Sequence, residues 1–201
     1  GFGGVAGLRD YLATHQITHV VDATHPFAAQ MSRNAAAACA QAGVPLIALP
    51  RASWVAQGAD DWIHVPDIAG AVAALDRPAA RVMLAVGRMN LADFAPNPQH
   101  FYLLRLVDPP QSPPPFPDNY VLVSRGPFTA ADDRALMEEH GIDLIVSKNA
   151  GGTGAYAKIA AARALGLPVI MIDRPAIPER KEAYSVADVM AWLGHGADLG
   201  V

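Results

Sequence analysis

The chain carries a single cysteine, Cys39, among its 201 residues, so no internal disulfide can form. Cys39 lies in an Ala-rich helical run and reads as a buried structural thiol. Charged residues make up only 17% of the chain and the net charge is −4, which excludes a global basic field for nucleic acid. The apolar runs are strand-length, well short of a membrane span, and no cationic segment followed by an apolar one opens the chain. The expected location is cytoplasmic. Neither a G-x-S-x-G elbow nor an H-E-x-x-H pair occurs, and the histidines show no metal-ligand spacing. A metal site and a nucleophilic triad are therefore not expected.

What is present is apolar: 52% of the residues, a composition suited to strands covered on both faces. The order reads helix 5–14, strand 18–22, helix 26–42, strand 45–49, a short strand near 62–65 and a short helix near 67–75. Beyond Asp76-Arg-Pro78 come strand 81–86, short helix 88–94, strands 101–106 and 120–124, and helix 129–139. Strand 143–147, helix 154–165, strand 168–172 and a last helix at 185–194 complete the order. Alternation at this spacing predicts an α/β protein with parallel sheets. The expected division is an N-terminal lobe, 1–77, and a C-terminal lobe, 78–201. The first helix feeds a parallel strand, which implies a strand upstream of Gly1-Phe-Gly-Gly4 that this sequence does not contain. Asp108-Pro-Pro-Gln-Ser-Pro-Pro-Pro-Phe-Pro-Asp118 reads as a stiff surface connection.

In open parallel sheets, ligands bind beyond the carboxyl ends of the strands. The residues there are Thr24-His25-Pro26-Phe27, then Arg51 with Trp54, then Gly87-Arg88, then Arg125-Gly-Pro-Phe128, then Lys148 to Gly154, and last Asp173-Arg174-Pro175. A cation stands at five of these six ends in a chain with few charges. The richest end is Ser147-Lys-Asn-Ala-Gly-Gly-Thr-Gly-Ala-Tyr-Ala-Lys158, a glycine turn between a strand and a helix with a lysine on each side. Such a turn offers backbone N–H groups and a helix N-terminus to an anion, although its glycines do not follow G-x-G-x-x-G. Plainer readings stand beside these. Thr24 or His25 would cap a helix beginning at Pro26, Thr129 with Asp132 resembles a capping box, and the glycines would simply permit a tight turn. Trp54 reads either as core or as part of a site, while Trp62 and Trp192 read as core.

These residues together resemble the precorrin-6A reductase family of cobalamin biosynthesis. The resemblance rests on Asp22-Ala-Thr-His-Pro-Phe-Ala28, Arg51 with Trp54, Gly87, Ser124-Arg-Gly-Pro-Phe128, Lys148-Asn-Ala-Gly-Gly152 with Lys158, and Ile172-Asp-Arg-Pro175. It covers nearly the whole chain with the motifs in order. It implies two Rossmann-like lobes with parallel sheets, the active site in the cleft between them, and further family residues upstream of Gly1. It also implies NADPH-dependent reduction of one macrocycle double bond of precorrin-6A, giving precorrin-6B. On this resemblance Gly87, Arg88, Arg125, Gly126, Phe128, Lys148, Gly151, Gly152 and Lys158 would hold NADPH. Thr24, His25 and Arg51 would face the tetrapyrrole, a polycarboxylate, with His25 or water as proton donor. Asp173 keeps NAD open as the alternative cofactor, since an acidic residue about twenty residues past a glycine turn binds a ribose 2′-OH. Expected partners are the small-molecule substrate and neighbouring enzymes of the pathway, without nucleic acid or membrane. The alternative function is a non-catalytic module that captures a tetrapyrrole or nucleotide.

Overall fold

The computed structural model describes residues 1–197; residues 198–201 of the expected C-terminal lobe lie outside the described residues. In chain order the elements are α1 (Gly4–Thr14), β1 (Val20–Asp22), α2 (Ala29–Ala42), β2 (Leu46–Ala48), β3 (Trp62–Val65), α3 (Ile68–Ala74) and β4 (Arg81–Ala85). Then follow β5 (Phe101–Leu106), β6 (Asn119–Val123), α4 (Ala130–Glu139), β7 (Leu144–Lys148), α5 (Ala157–Leu165), β8 (Val169–Ile172) and α6 (Val186–Ala197). No helix among the described residues is long and apolar enough to cross a membrane.

Two compact units result, one of Gly1–Ala52 with Pro175–Val201 and one of Ser53–Arg174. The expected division at residue 77 falls elsewhere for a pairing reason. β3 lies parallel to β8, Trp62 opposite Val169 and Val65 opposite Ile172, which places β3 in the sheet of the later strands. Conversely the segment around Glu182 joins β2: Ala48 N–H donates to Lys181 O at 2.8 Å, and Ala183 N–H donates to Ala48 O at 2.8 Å.

In the smaller unit β1 and β2 pair in parallel. α1 sets Leu8 and Leu12 against Ala35, Ala38 and Cys39 of α2, small residues that let the helices approach closely. Cys39 is buried, as its Ala-rich setting predicts, and burial pushes its thiol up. Gly43 ends α2 in the left-handed region at φ 68°. α2 begins at Ala29, three residues later than Pro26 predicts, and takes no side-chain cap. Neither Thr24 nor His25 therefore caps α2. α6 and the 181–183 segment cover the other side, with Ala183, Val189 and Trp192 against Ile47.

The larger unit is a six-stranded parallel sheet ordered β3-β8-β7-β4-β5-β6. β4, β7 and β8 read as almost continuous apolar runs because both faces are covered: Met83, Ile145, Ile170 and Met171 are fully buried. Each such side chain contributes roughly 1.5–3 kcal/mol on burial. The chain runs β4, β5, β6 in one direction and then returns to the far side of β4, where β7 pairs. The order therefore reverses between β4 and β7. The expected helix at 88–94 is two 3₁₀ turns, Arg88–Asn90 and Ala92–Phe94, anchored by the fully buried Phe94. Thr129 does cap α4, its hydroxyl accepting from Asp132 N–H at 3.1 Å. In the proline segment, Phe116 is buried against the Tyr102 ring, 4.1 Å between centroids.

One buried ion pair ties the smaller unit together. Asp22, the last residue of β1, meets Arg180. Its carboxylate also accepts from Thr24 N–H at 3.1 Å and from the Thr24 hydroxyl at 2.6 Å. Burial pushes this carboxyl up, but hydrogen bonds from Thr24 and Ser32 and the Arg180 charge outweigh burial and hold it below the usual range. Its contribution to stability is therefore complete above about pH 4, the unfolded value, and is lost as pH falls through the lower folded value. Arg180→Met should cost about 3–5 kcal/mol in chemical denaturation at pH 7, because Asp22 stays buried without its cation. The deficit should shrink below pH 4.

Candidate active site at the strand reversal

The carboxyl ends of β4 and β7 stand side by side where the strand order reverses, the place at which open α/β sheets leave a crevice for a ligand. Two turns frame it. After β4, Gly87 adopts φ 82° and ψ 157°, a conformation that side chains other than hydrogen rarely reach. After β7, Gly151 and Gly152 both have positive φ, 67° and 66°. The backbone N–H groups of Gly151, Gly152, Thr153 and Gly154 find no acceptor among the described residues. A run of unpaired amides leading into α5 is a donor set for an anion.

Lys148 spans the reversal. Its Nζ donates to Asn90 Oδ1 at 2.7 Å, joining the end of β7 to the turn after β4. Burial lowers its pKa, and the Asp93 charge offsets part of that effect. The glycine turn itself is held from below. Trp54 N–H donates to Asn149 Oδ1 at 2.9 Å, Asn149 Nδ2 donates to Trp54 O at 2.9 Å, and the indole Nε1 donates to Gly152 O at 2.6 Å. Trp54 is thus both core and clamp.

On the other side of β4 lies a cavity of about 260 Å³ lined by Gly87, Arg88, Arg105, Val107 and Asp108. Arg88 is exposed there, and its side chain takes no ion-pair partner from the described residues. Arg125 pairs with Asp108 across exposed surface. Gly126, at φ 83°, precedes Pro127, and Phe128 lies over the Arg105 guanidinium at 3.8 Å. Arg105 is paired with the buried Asp133. Asp108 follows β5, the second strand from the reversal, about twenty residues past Gly87; an acidic residue at that spacing is the general ribose-reading position of dinucleotide-binding folds. The sequence reading gave that position to Asp173. In the structure Asp173 is bonded to His64 Nδ1 at 2.7 Å, and Arg174 Nε donates to Asn149 O at 2.9 Å.

Lys158 stands apart from these cations. It is 5% exposed inside α5, donates to Ala155 O at 2.7 Å and lies 4.9 Å from the Trp54 ring centroid. Burial, and after it the Arg105 charge, lower its pKa to about 8 against the opposing charge of Asp133. In the smaller unit Thr24 and His25 follow β1, and Arg51 follows its neighbour β2, so they share one carboxyl edge. Thr24 is occupied by Asp22 and also lies 3.2 Å from the Ser32 hydroxyl. His25 Nδ1 accepts from Phe27 N–H at 3.2 Å, which assigns the proton of the neutral ring to Nε2.

The sequence reading did not find Asn149, Asn90, Arg105 or Asp133 in these roles. Arg105 carried a signal, a charge within the apolar strand Phe101-Tyr-Leu-Leu-Arg-Leu106. Asn149 and Asn90 carried none, because their partners lie far off in the chain.

A parallel sheet whose strand order reverses between two glycine-bearing turns defines an α/β protein with a Rossmann-like fold. Comparison with known proteins narrows this. Residues 1–194 match the family described as Precorrin-6x reductase CbiJ/CobK, and the chain belongs to that family. It is 60% identical over 198 residues to the precorrin-6A reductase of Rhodobacter capsulatus, covering 98% of this chain and 79% of that one. With the precorrin-6A reductase of Rhodococcus erythropolis it shares 44% over 195 residues, 96% and 78% of the two chains. With the cobalt-precorrin-6A reductase of Priestia megaterium it shares 32% over 180 residues, 85% and 70%. A solved structure described as CobK precorrin-6A reductase superposes with a TM-score of 0.96 at 59% identity, covering 98% of this chain and 80% of that one.

Lys158→Met should raise stability at pH 7 by about 1–3 kcal/mol, because it removes a buried ammonium with one acceptor. In the wild type the folded pKa lies below the unfolded one, so stability should climb as pH rises from about 8 towards 10.5. Urea denaturation across that range checks both; a variant with the wild-type slope would rule out Lys158 as its source.

Proposed function

We propose that the protein reduces one double bond of precorrin-6A to give precorrin-6B in cobalamin biosynthesis, with NADPH as its cofactor. Family membership across residues 1–194 supports the reductase reading. The observation that carries the cofactor reading is the set of unpaired amides and Lys148 at the strand reversal, with the Arg88-lined cavity on the other side of β4. When bound, NADPH would supply the hydride for a ring carbon beside a pyrrolic nitrogen, and a proton would join the neighbouring carbon.

The chain's own residues bind and orient. Gly87, Gly151 and Gly152 let the backbone approach the phosphates, and Lys148 supplies charge there. Arg88, Arg125, Gly126 and Phe128 take the adenosine half. The carboxylate of Asp108 would favour a ribose hydroxyl, but it is engaged by Arg125 from beyond β6, which stands beside it as a cation for a 2′-phosphate. This favours NADPH over NADH. Lys158 supports the site from within α5, through the Trp54 ring and the Arg105–Asp133 pair. Thr24, His25 and Arg51 face the substrate's carboxylates and reacting carbons. His25 acts as proton donor in its imidazolium form, which takes its second proton from solvent at Nδ1 in place of the Phe27 N–H bond and returns to the neutral ring after transfer.

An anaerobic assay of NADPH oxidation with precorrin-6A tests the reading. Turnover with NADPH well above that with NADH is expected. Tight tetrapyrrole binding without oxidation would instead indicate a capture module, and tighter binding of NADH would remove the 2′-phosphate assignment. His25→Ala should lower turnover by about 10²-fold while NADPH affinity stays nearly intact. Full turnover in that variant would make water the proton source.

A further inference from the structure

Asn149 follows the cation at the end of β7 and is 6% exposed, yet every polar group it owns is used. Its side-chain amide pairs with the main chain of Trp54 as a second peptide group would, through the two 2.9 Å bonds. Its N–H donates to Ile172 O at 3.0 Å, and its carbonyl accepts from Arg174 Nε at 2.9 Å. Trp54 stands next to the first residue of its unit and Arg174 is the last, so both ends of Ser53–Arg174 are bonded to one asparagine. Ala150 N–H donates to Lys148 O at 2.7 Å, closing a tight turn with Asn149 at its centre.

The consequence lies on either side. Upstream, Lys148 is aimed at Asn90; downstream, Gly151 and Gly152 adopt their left-handed conformations, and the Trp54 indole fixes the carbonyl of Gly152. The four unpaired amides follow directly. Asn is the fitting side chain, because the pairing needs one acceptor and one donor in a plane; a carboxylate has no donor and an aliphatic chain has neither.

We propose that Asn149 is a positioning residue for the reaction. Paired with Trp54, it holds Lys148 and the 150–154 turn in the geometry that receives the nicotinamide half of the cofactor. This rests on the cofactor reading above. In a sheet that reverses between β4 and β7, the β4-β5-β6 half takes the adenosine and the β7-β8 half takes the other nucleotide.

The test uses the chain as it stands, with Asn149→Ala and Trp54→Phe, and measures dissociation constants for NADPH and for adenosine 2′,5′-bisphosphate alongside Tm. Asn149→Ala should weaken NADPH binding by about tenfold and leave the bisphosphate within about twofold. Trp54→Phe keeps the amide pairing and an aromatic ring in the core but loses the bond to Gly152 O, so NADPH should weaken by about threefold with the bisphosphate unchanged. If Asn149→Ala does not fold, the same split in Trp54→Phe decides the matter. Unchanged NADPH affinity would overturn the proposal. So would parallel weakening of both ligands, which is what general loosening of the unit produces. Should the wild type bind neither ligand, the cofactor reading falls and this proposal falls with it.

Discussion

The pairing of β4 with β7 is the constraint on which the larger unit depends. Parallel strands need crossovers, and successive crossovers from β4 through β6 move across the sheet in one direction. When the chain returns to the other side of β4, the connections after β4 and β7 lead away from each other and leave their carboxyl ends open. Gly87, Lys148 and the glycine turn come together only because Leu84 lies opposite Val146 and Ala85 opposite Ser147. The apolar surface of these strands supplies the driving force, and the reversal supplies the place. The clamp of Asn149 on Trp54 then shapes the turn that this place exposes.

Charge is organised locally. The chain is net negative, so an anionic ligand meets no favourable long-range field and must rely on single cations and amide dipoles at short range. Many of the cations are already committed. Arg180 meets Asp22, Arg105 meets Asp133, and Arg163 grips Asp60 with two bonds of 2.8 and 3.0 Å. Buried pairs of this kind add little net stability, since desolvation offsets much of the attraction, but losing one partner is costly. They tie α4 to β5, α5 to the loop before β3, and the segment at Arg180 to the end of β1. Lys158 shows the opposite case, an ammonium kept inside with one carbonyl and an aromatic face, and its basicity falls accordingly.

Much of the fold was legible before any coordinates. β4, β7 and β8 announce themselves as short apolar runs bounded by turn residues, and the Thr129 cap follows from local spacing alone. The misplacements have a common origin. The Arg88–Phe94 stretch has helical composition, but a buried Phe94 and a positive-φ Gly87 tighten it into 3₁₀ turns. β3 has four residues, too few to carry any mark of the sheet it joins, so the division was sought at Asp76-Arg-Pro78 and lies instead at residues 52/53 and 174/175. The cationic strand ends were read correctly as a set of positions. Which cation is paired, buried or aimed at a turn depends on neighbours distant in sequence.

By itself the sequence determined the class of fold, the strand ends that carry glycine and charge, and the family, because periodicity, turn chemistry and ordered motifs are local properties of the chain. Tertiary structure alone decided the exchange of β3 and the 181–183 segment between units, the burial of Lys158, the pairing of Asp108 with Arg125 and that of Asn149 with Trp54. Each of those depends on contacts closed across long stretches of chain, such as the 95 residues between Trp54 and Asn149. A hydrogen bond or ion pair is specified by where two groups meet in space, and no spacing along the chain records that meeting.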